Sequence, residues 1–270
     1  MKVLSLATVP LAAAVILAAH VAGGGSARTL LDASAALIVL GGTLAATLVS
    51  HSVSDLVRAT RSAIRSFVQV DRPISELSAS LVAWSIRAHR QGVFVLDSEL
   101  DQIDDPYLRH AMTLAVDGID VALLRDVLAA EGRAQEAHDD APVRVFETAA
   151  GYAPTFGMLG AVLGLMHVMA AFGEPERLGA GIATAFVATV YGLALANGLL
   201  LPLAGRLRER LLTGVRRREL ILEAVVGLRQ RNHPRLIAAT IRGIAPDATF
   251  SGEVGLHGMA TAPPYGGRPS

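Results

Sequence analysis

The chain has 270 residues, 52% hydrophobic and only 18% charged, with a mean hydropathy of +0.45, which is too apolar for an ordinary soluble domain. Its 24 Lys plus Arg balance 24 Asp plus Glu, so net charge gives no argument for nucleic acid, and none is expected as a partner. The absence of cysteine excludes disulfides, thiolate nucleophiles and Cys-ligated metals.

Residues 3–22 form the first apolar run and residues 33–50 (ASAALIVLGGTLAATLVS) the second, joined by GGGSARTLLD. Lys2 ahead of the first run and small residues at 22–25 admit a cleaved secretory leader as the alternative. The length of a full span and the single leading charge favour a retained helix. Residues 53–148 read as a helical domain: Ile64, Phe67 and Val68, then Leu77, Leu81 and Trp84, then Leu108, Met112 and Ala115 recur at spacings of three and four, the period of one-faced helices. Pro73 and Pro106 punctuate it, each pushing the residue before it toward an extended conformation.

Two further uncharged runs follow, YAPTFGMLGAVLGLMHVMAAF and IATAFVATVYGLALANGLLLPLAG, separated by GEPERLGAG. Each exceeds the roughly 20 residues that cross a hydrocarbon core. Neither contains Asp or Glu, and Tyr152 at the start of the first, His167 and Tyr191 are their only ionisable side chains. The expected domains are therefore 1–52, two spans with a short outer loop; 53–148, a cytoplasmic helical domain; 149–205, two more spans; 206–245, a helical extension; and 246–270, a disordered tail rich in Gly and Pro. The fold class is an all-α integral membrane protein with four transmembrane helices.

Arginine sets the orientation, because cytoplasmic flanks retain Lys and Arg. Arg58, Arg61 and Arg65 follow the second span, and Arg206, Arg208, Arg210 and Arg216 to Arg218 follow the fourth, whereas the two hairpins carry only Arg28 and Arg177. Both termini and the middle segment are assigned to the cytoplasm.

Small residues punctuate the last two spans: Gly157, Gly160 and Gly164 in one, Gly179, Gly181, Ala183, Gly192 and Ala196 in the other. In lipid, apolar burial does not drive helices together, and close approach at small residues does so instead. The pattern suits packing within the chain and also a bundle repeated between subunits, so a homo-oligomer is expected. Pro154 and Pro202 fall at similar depth on opposite-running spans, either as helix ends or as paired hinges. Histidine is the residue type suited to carrying protons near neutral pH, but His20 and His167 share no metal-like spacing, and they read as packing residues. No HExxH, GxSxG, Walker A or dinucleotide fingerprint is present, so no enzyme, cofactor or metal site is expected.

YAPTFGMLGAVLGL with GAGIATAFVATVYGLALANGLLLPLAGRL resembles the third and fourth spans of the MotA and PomA flagellar stator subunits. LIVLGGTLAATLVS resembles their second span with its Gly41 and Gly42 pair, and AHRQGVFVLDSEL, AVDGID and RNHPRLI resemble their cytoplasmic segments. The resemblance implies an inner-membrane ion channel: a ring, of five copies, around two chains of a MotB-type single-span, peptidoglycan-binding partner whose span carries the aspartate this chain lacks. It implies coupling hinges at Pro154 and Pro202, and an ion path along Ala161, Ala188, Thr189 and Tyr191. It places a contact with a FliG-type rotor protein at Arg90 and Asp97, with Glu99 nearby; Asp97 departs from the family's usual Glu. Ala161 and Ala188 stand where sodium-driven relatives carry hydroxyls, which favours protons, since fewer hard oxygens disfavour a dehydrated sodium ion. The competing reading is an ExbB/TolQ-like energiser, which has a single span before the large cytoplasmic segment.

Overall fold

A computed structural model describes residues 30–68, 73–170 and 175–246, with 14–15, 18, 21–24 and 26 before them; at 175–177 it describes the backbone alone. Most of the first expected span, His20, Arg28 and the tail from residue 247 lie outside the described residues.

The described elements are helices, with no strand among them. Helix α1, Ala33–Ser50, is long and apolar enough to cross a membrane. Asp32 starts it, its Oδ1 accepting from the backbone of Ser34 at 2.9 Å and Ala35 at 3.0 Å, so two orphan donors of the first turn are satisfied. Helix α2, Val53–Val68, follows almost at once, then α3, Ile74–Gln91, entered through Pro73 and closed by Gly92 at φ +87°. A 3₁₀ segment, Val93–Gln102, leads to α4, Pro106–Val116, which has Pro at its first position and Asp105 as its cap, the arrangement favoured at helix starts.

Helix α5, Val121–Ala170, runs 50 residues. The sequence reading placed a boundary near residue 148, yet the helix passes through both Pro142 and Pro154. An interior proline removes one hydrogen bond and bends the rod; it does not have to end it where flanking residues are good helix formers. Helix α6, Pro175–Leu195, continues through a π-helical turn, Ala196–Leu200, into α7, Leu201–Arg229. Helix α8, Pro234–Ile244, closes the described chain. Among the described residues, α5 and the stretch Leu178–Arg229 join α1 as helices of spanning length and composition.

The chain packs as two units, one of residues 1–69 and 139–210, the other of 70–138 and 211–270. The division differs from a domain of 53–148. Helix α2 and the first turns after Asp139 join the apolar spans, because Ala59, Ala63 and Ser66 are buried there and Arg206 holds the carbonyl of Ser66 at 2.9 Å. In the second unit Leu77, Leu81, Leu96, Leu108, Met112, Leu124, Leu128, Leu220, Ile221, Val225 and Ile241 form one buried core. Its polar ties include Arg217 to Asp105 at 2.8 Å and the Tyr107 hydroxyl donated to the Leu128 carbonyl at 3.0 Å. Burial, the largest cause, pushes the Tyr107 phenol up to about 12, so this hydroxyl keeps its proton as a donor.

Candidate functional site

In the first unit α5 and α6 meet backbone to backbone. A methyl group placed on Gly192 would lie 2.6 Å from the Ala153 carbonyl oxygen and 3.2 Å from the Pro154 Cα; one on Gly157 would lie 3.0 Å from the Ala188 oxygen. Gly160 faces the Ala188 methyl, and Gly164 faces Ala185 and the Gly181 carbonyl, each closer than 3.0 Å to such a methyl. The small residues thus pack these two helices together inside one chain. On α1, Gly42 receives the ring of Phe156, whereas among the described residues Gly41 meets Leu37 of its own helix alone.

Ala188 is fully buried with Ala35, Val39 and Val187. Ala161 and Thr189 are half-buried, and the Thr189 hydroxyl turns back to the Ala185 carbonyl at 3.3 Å. Tyr191 donates its hydroxyl to the Leu30 carbonyl. His167, exposed, has Nδ1 2.9 Å from the Leu163 carbonyl of its own helix. Pro154 is half-buried within α5, and Pro202 is exposed at the second position of α7, the helix that follows the π turn.

The structure adds a residue that the sequence reading passed over. Asp32, at the mouth of α1, accepts from the Thr184 hydroxyl of α6 at 2.5 Å through Oδ2 and from the Ser34 hydroxyl at 2.5 Å through Oδ1. The Ser34 hydroxyl first, then Thr184 and the Ala35 amide, hold its carboxyl down to about 2. A fixed negative charge therefore sits at one end of the α1–α6 contact. The signal was available: Asp immediately before an apolar helical run is a capping signature.

In the second unit, Arg90 in the last turn of α3 and Asp97 on the 3₁₀ segment are both exposed. Glu99 is not comparable: it accepts from the indole N–H of Trp84 and the guanidinium of Arg87, and its side chain is 15% exposed. Of the two acids, Asp97 is the one displayed outward.

Residues 99–220 match the model of the MotA/TolQ/ExbB proton channel family. The chain is 30% identical to Motility protein A of Bacillus subtilis over 216 residues, covering 79% of this chain and 80% of that one. It is 32% identical to YtxD of the same organism over 208 residues, covering 77% and 76%. Its fold matches the flagellar MotAB stator complex from Bacillus subtilis with a TM-score of 0.81 at 28% identity, over 90% of this chain and 95% of that one.

Proposed function

This chain belongs to the MotA family within the MotA/TolQ/ExbB proton channels, and we propose that it is the ion-conducting stator subunit of a bacterial flagellar motor. It works beside a MotB-type partner in an oligomeric ring in the inner membrane, with both termini cytoplasmic, the orientation that its arginine distribution supports.

The observation that carries the mechanism is a tight α5–α6 wall, closed by Gly157, Gly160, Gly164 and Gly192, with no Asp or Glu in either apolar run. Such a wall excludes water and shapes a path but offers no carboxylate to bind a travelling ion. The partner's membrane aspartate supplies that group. The methyl group at Ala161 offers no oxygen to replace a sodium hydration shell, so the ion is a proton; Ala188, enclosed between Gly160 and α1, supports the wall behind the path.

The energy available per charge is about 2.3 kcal/mol per 100 mV, enough to tilt helices at Pro154 and Pro202 but not to remake a fold. Arg90 and Asp97 pass the movement to a FliG-type rotor by charge pairing. The test is rotation of tethered cells that carry this chain and its partner as sole stators, with external sodium replaced by potassium. Rotation should persist; its loss defeats the assignment of protons. In the same cells Arg90→Glu should weaken rotation, and a reversed charge on the rotor should partly restore it.

A further inference from the structure

Helix α2 carries a second apolar surface that no packing among the described residues covers. Its inner face, Ala59, Ala63 and Ser66, is buried. Roughly a quarter turn or more away, at 100° per residue, Val53, Val57, Ile64 and Val68 align on one stripe and are 67%, 53%, 61% and 75% exposed. Along one edge of that stripe stand Arg58, Arg61 and Arg65. Arg58 is neutralised by Asp55 at 3.5 Å, and Arg206 is committed to the Ser66 carbonyl and the face of the Phe67 ring. Arg61 and Arg65 are exposed and engage no other described residue.

The helix starts at Val53, just past the end of the spanning α1 at Ser50, so it lies at the membrane boundary. Val53, Val57 and Ile64 of the stripe and the two free arginines line a groove of about 540 Å³. Through Leu56 and Thr60 it adjoins an apolar cavity of about 190 Å³ between Leu40 and Leu44 of α1 and Phe146 of α5. Free cations beside an apolar trough that leads toward the bilayer match one amphiphile: an anionic head with a hydrocarbon tail. Arginine suits the head because its planar fork binds phosphate through two hydrogen bonds, and its stem can lie along apolar surface while the charge reaches the interface.

We propose that α2 holds an anionic phospholipid of the cytoplasmic leaflet, its phosphate on Arg61 and Arg65 and its acyl chain along Val53, Val57 and Ile64. The site rests on the membrane-spanning reading alone and is independent of the ion and rotor assignments.

The chain has no native cysteine, so nitroxides can be placed singly at Val57→Cys, Ile64→Cys and, as a control within α1, Leu44→Cys. The labelled full chain is reconstituted in phosphatidylcholine vesicles with and without phosphatidylglycerol. At Val57 and Ile64 relaxation should respond to oxygen and not to an aqueous nickel chelate. Access to nickel, or to neither reagent because a protein or a second copy covers the stripe, overturns the proposal. Failure at Leu44 instead refutes the spanning of α1. Phosphatidylglycerol should be retained over phosphatidylcholine during delipidation by on the order of fivefold per arginine. That preference should disappear in Arg61→Gln/Arg65→Gln and survive in Arg61→Lys/Arg65→Lys. Equal retention of the two lipids by the unaltered chain, or an unchanged preference in the Gln variant, overturns it.

Discussion

Gly192 lies against the Ala153 carbonyl so closely that a methyl group at Gly192 would come within 2.6 Å of that oxygen. The obstacle is backbone on both sides, so it cannot be relieved by rotating a side chain. Gly192→Ala should therefore separate α6 from α5 at a cost of about 1–3 kcal/mol, the range for overpacked interiors. Thermal unfolding of the solubilised chain would measure it, and ion uptake should fall as the wall loosens. Gly198 meets nothing within 4 Å, so Gly198→Ala is the matched control and should be neutral or slightly stabilising. Equal losses in both variants would remove the close approach from the explanation.

Glu99 and Asp97 offer a second contrast. Glu99→Gln weakens the acceptor shared by Trp84 and Arg87, and an ion pair of this partly buried kind costs about 1–3 kcal/mol when one partner is impaired. Trp84 is the only tryptophan, so its emission should shift in Glu99→Gln. Asp97→Asn should leave emission and melting unchanged yet reduce torque on the rotor. A normal motor in Asp97→Asn, with a defective one in Glu99→Gln despite an unchanged melt, would reverse the two roles.

Much of the architecture was legible because the bilayer imposes it. Runs of about 20 uncharged residues leave few alternatives to spanning helices, and α1, the later part of α5 and α6 into α7 follow that pattern. What sequence left open depended on partners distant in the chain. The glycine spacing announced close contact but not that Gly157 meets Ala188 and Gly192. The 3₁₀ segment has no period long enough to tell which of Asp97 and Glu99 faces inward. Pro154 could be read as a helix end or as a hinge, and it lies inside α5. Asp32 sits outside any apolar run, so a search for acids within the spans passed it by, and its Thr184 partner is 152 residues away.

The Asp32–Thr184 tie should show itself in acid. Its carboxyl is held at about 2 against an ordinary 3.8. A depressed folded value means that the stabilisation is fully present above the ordinary value and is lost as pH falls through the folded one. Wild type should accordingly melt above Asp32→Asn at neutral pH, and the gap should close between about pH 4 and pH 2. Thr184→Val should remove part of the same gap. A difference between wild type and Asp32→Asn that does not change with pH would assign the loss to capping geometry and not to charge.

Pro202 stands one residue beyond the π turn Ala196–Leu200. Lacking an N–H, it cannot bond the Gly198 carbonyl four residues back, and a widened turn is how a helix absorbs such a defect without ending. Pro202→Ala restores the donor, so the turn should close to ordinary α geometry, with a gain on the order of 1–3 kcal/mol in helix stability. A hinge that has been straightened transmits less tilt. The variant should reach the membrane at normal levels and melt higher, while the motor turns slowly or not at all and ion uptake beside the partner is retained. Uptake and rotation measured on the same cells separate the two effects. If both fall in proportion, Pro202 shapes the conducting path itself and coupling must reside elsewhere.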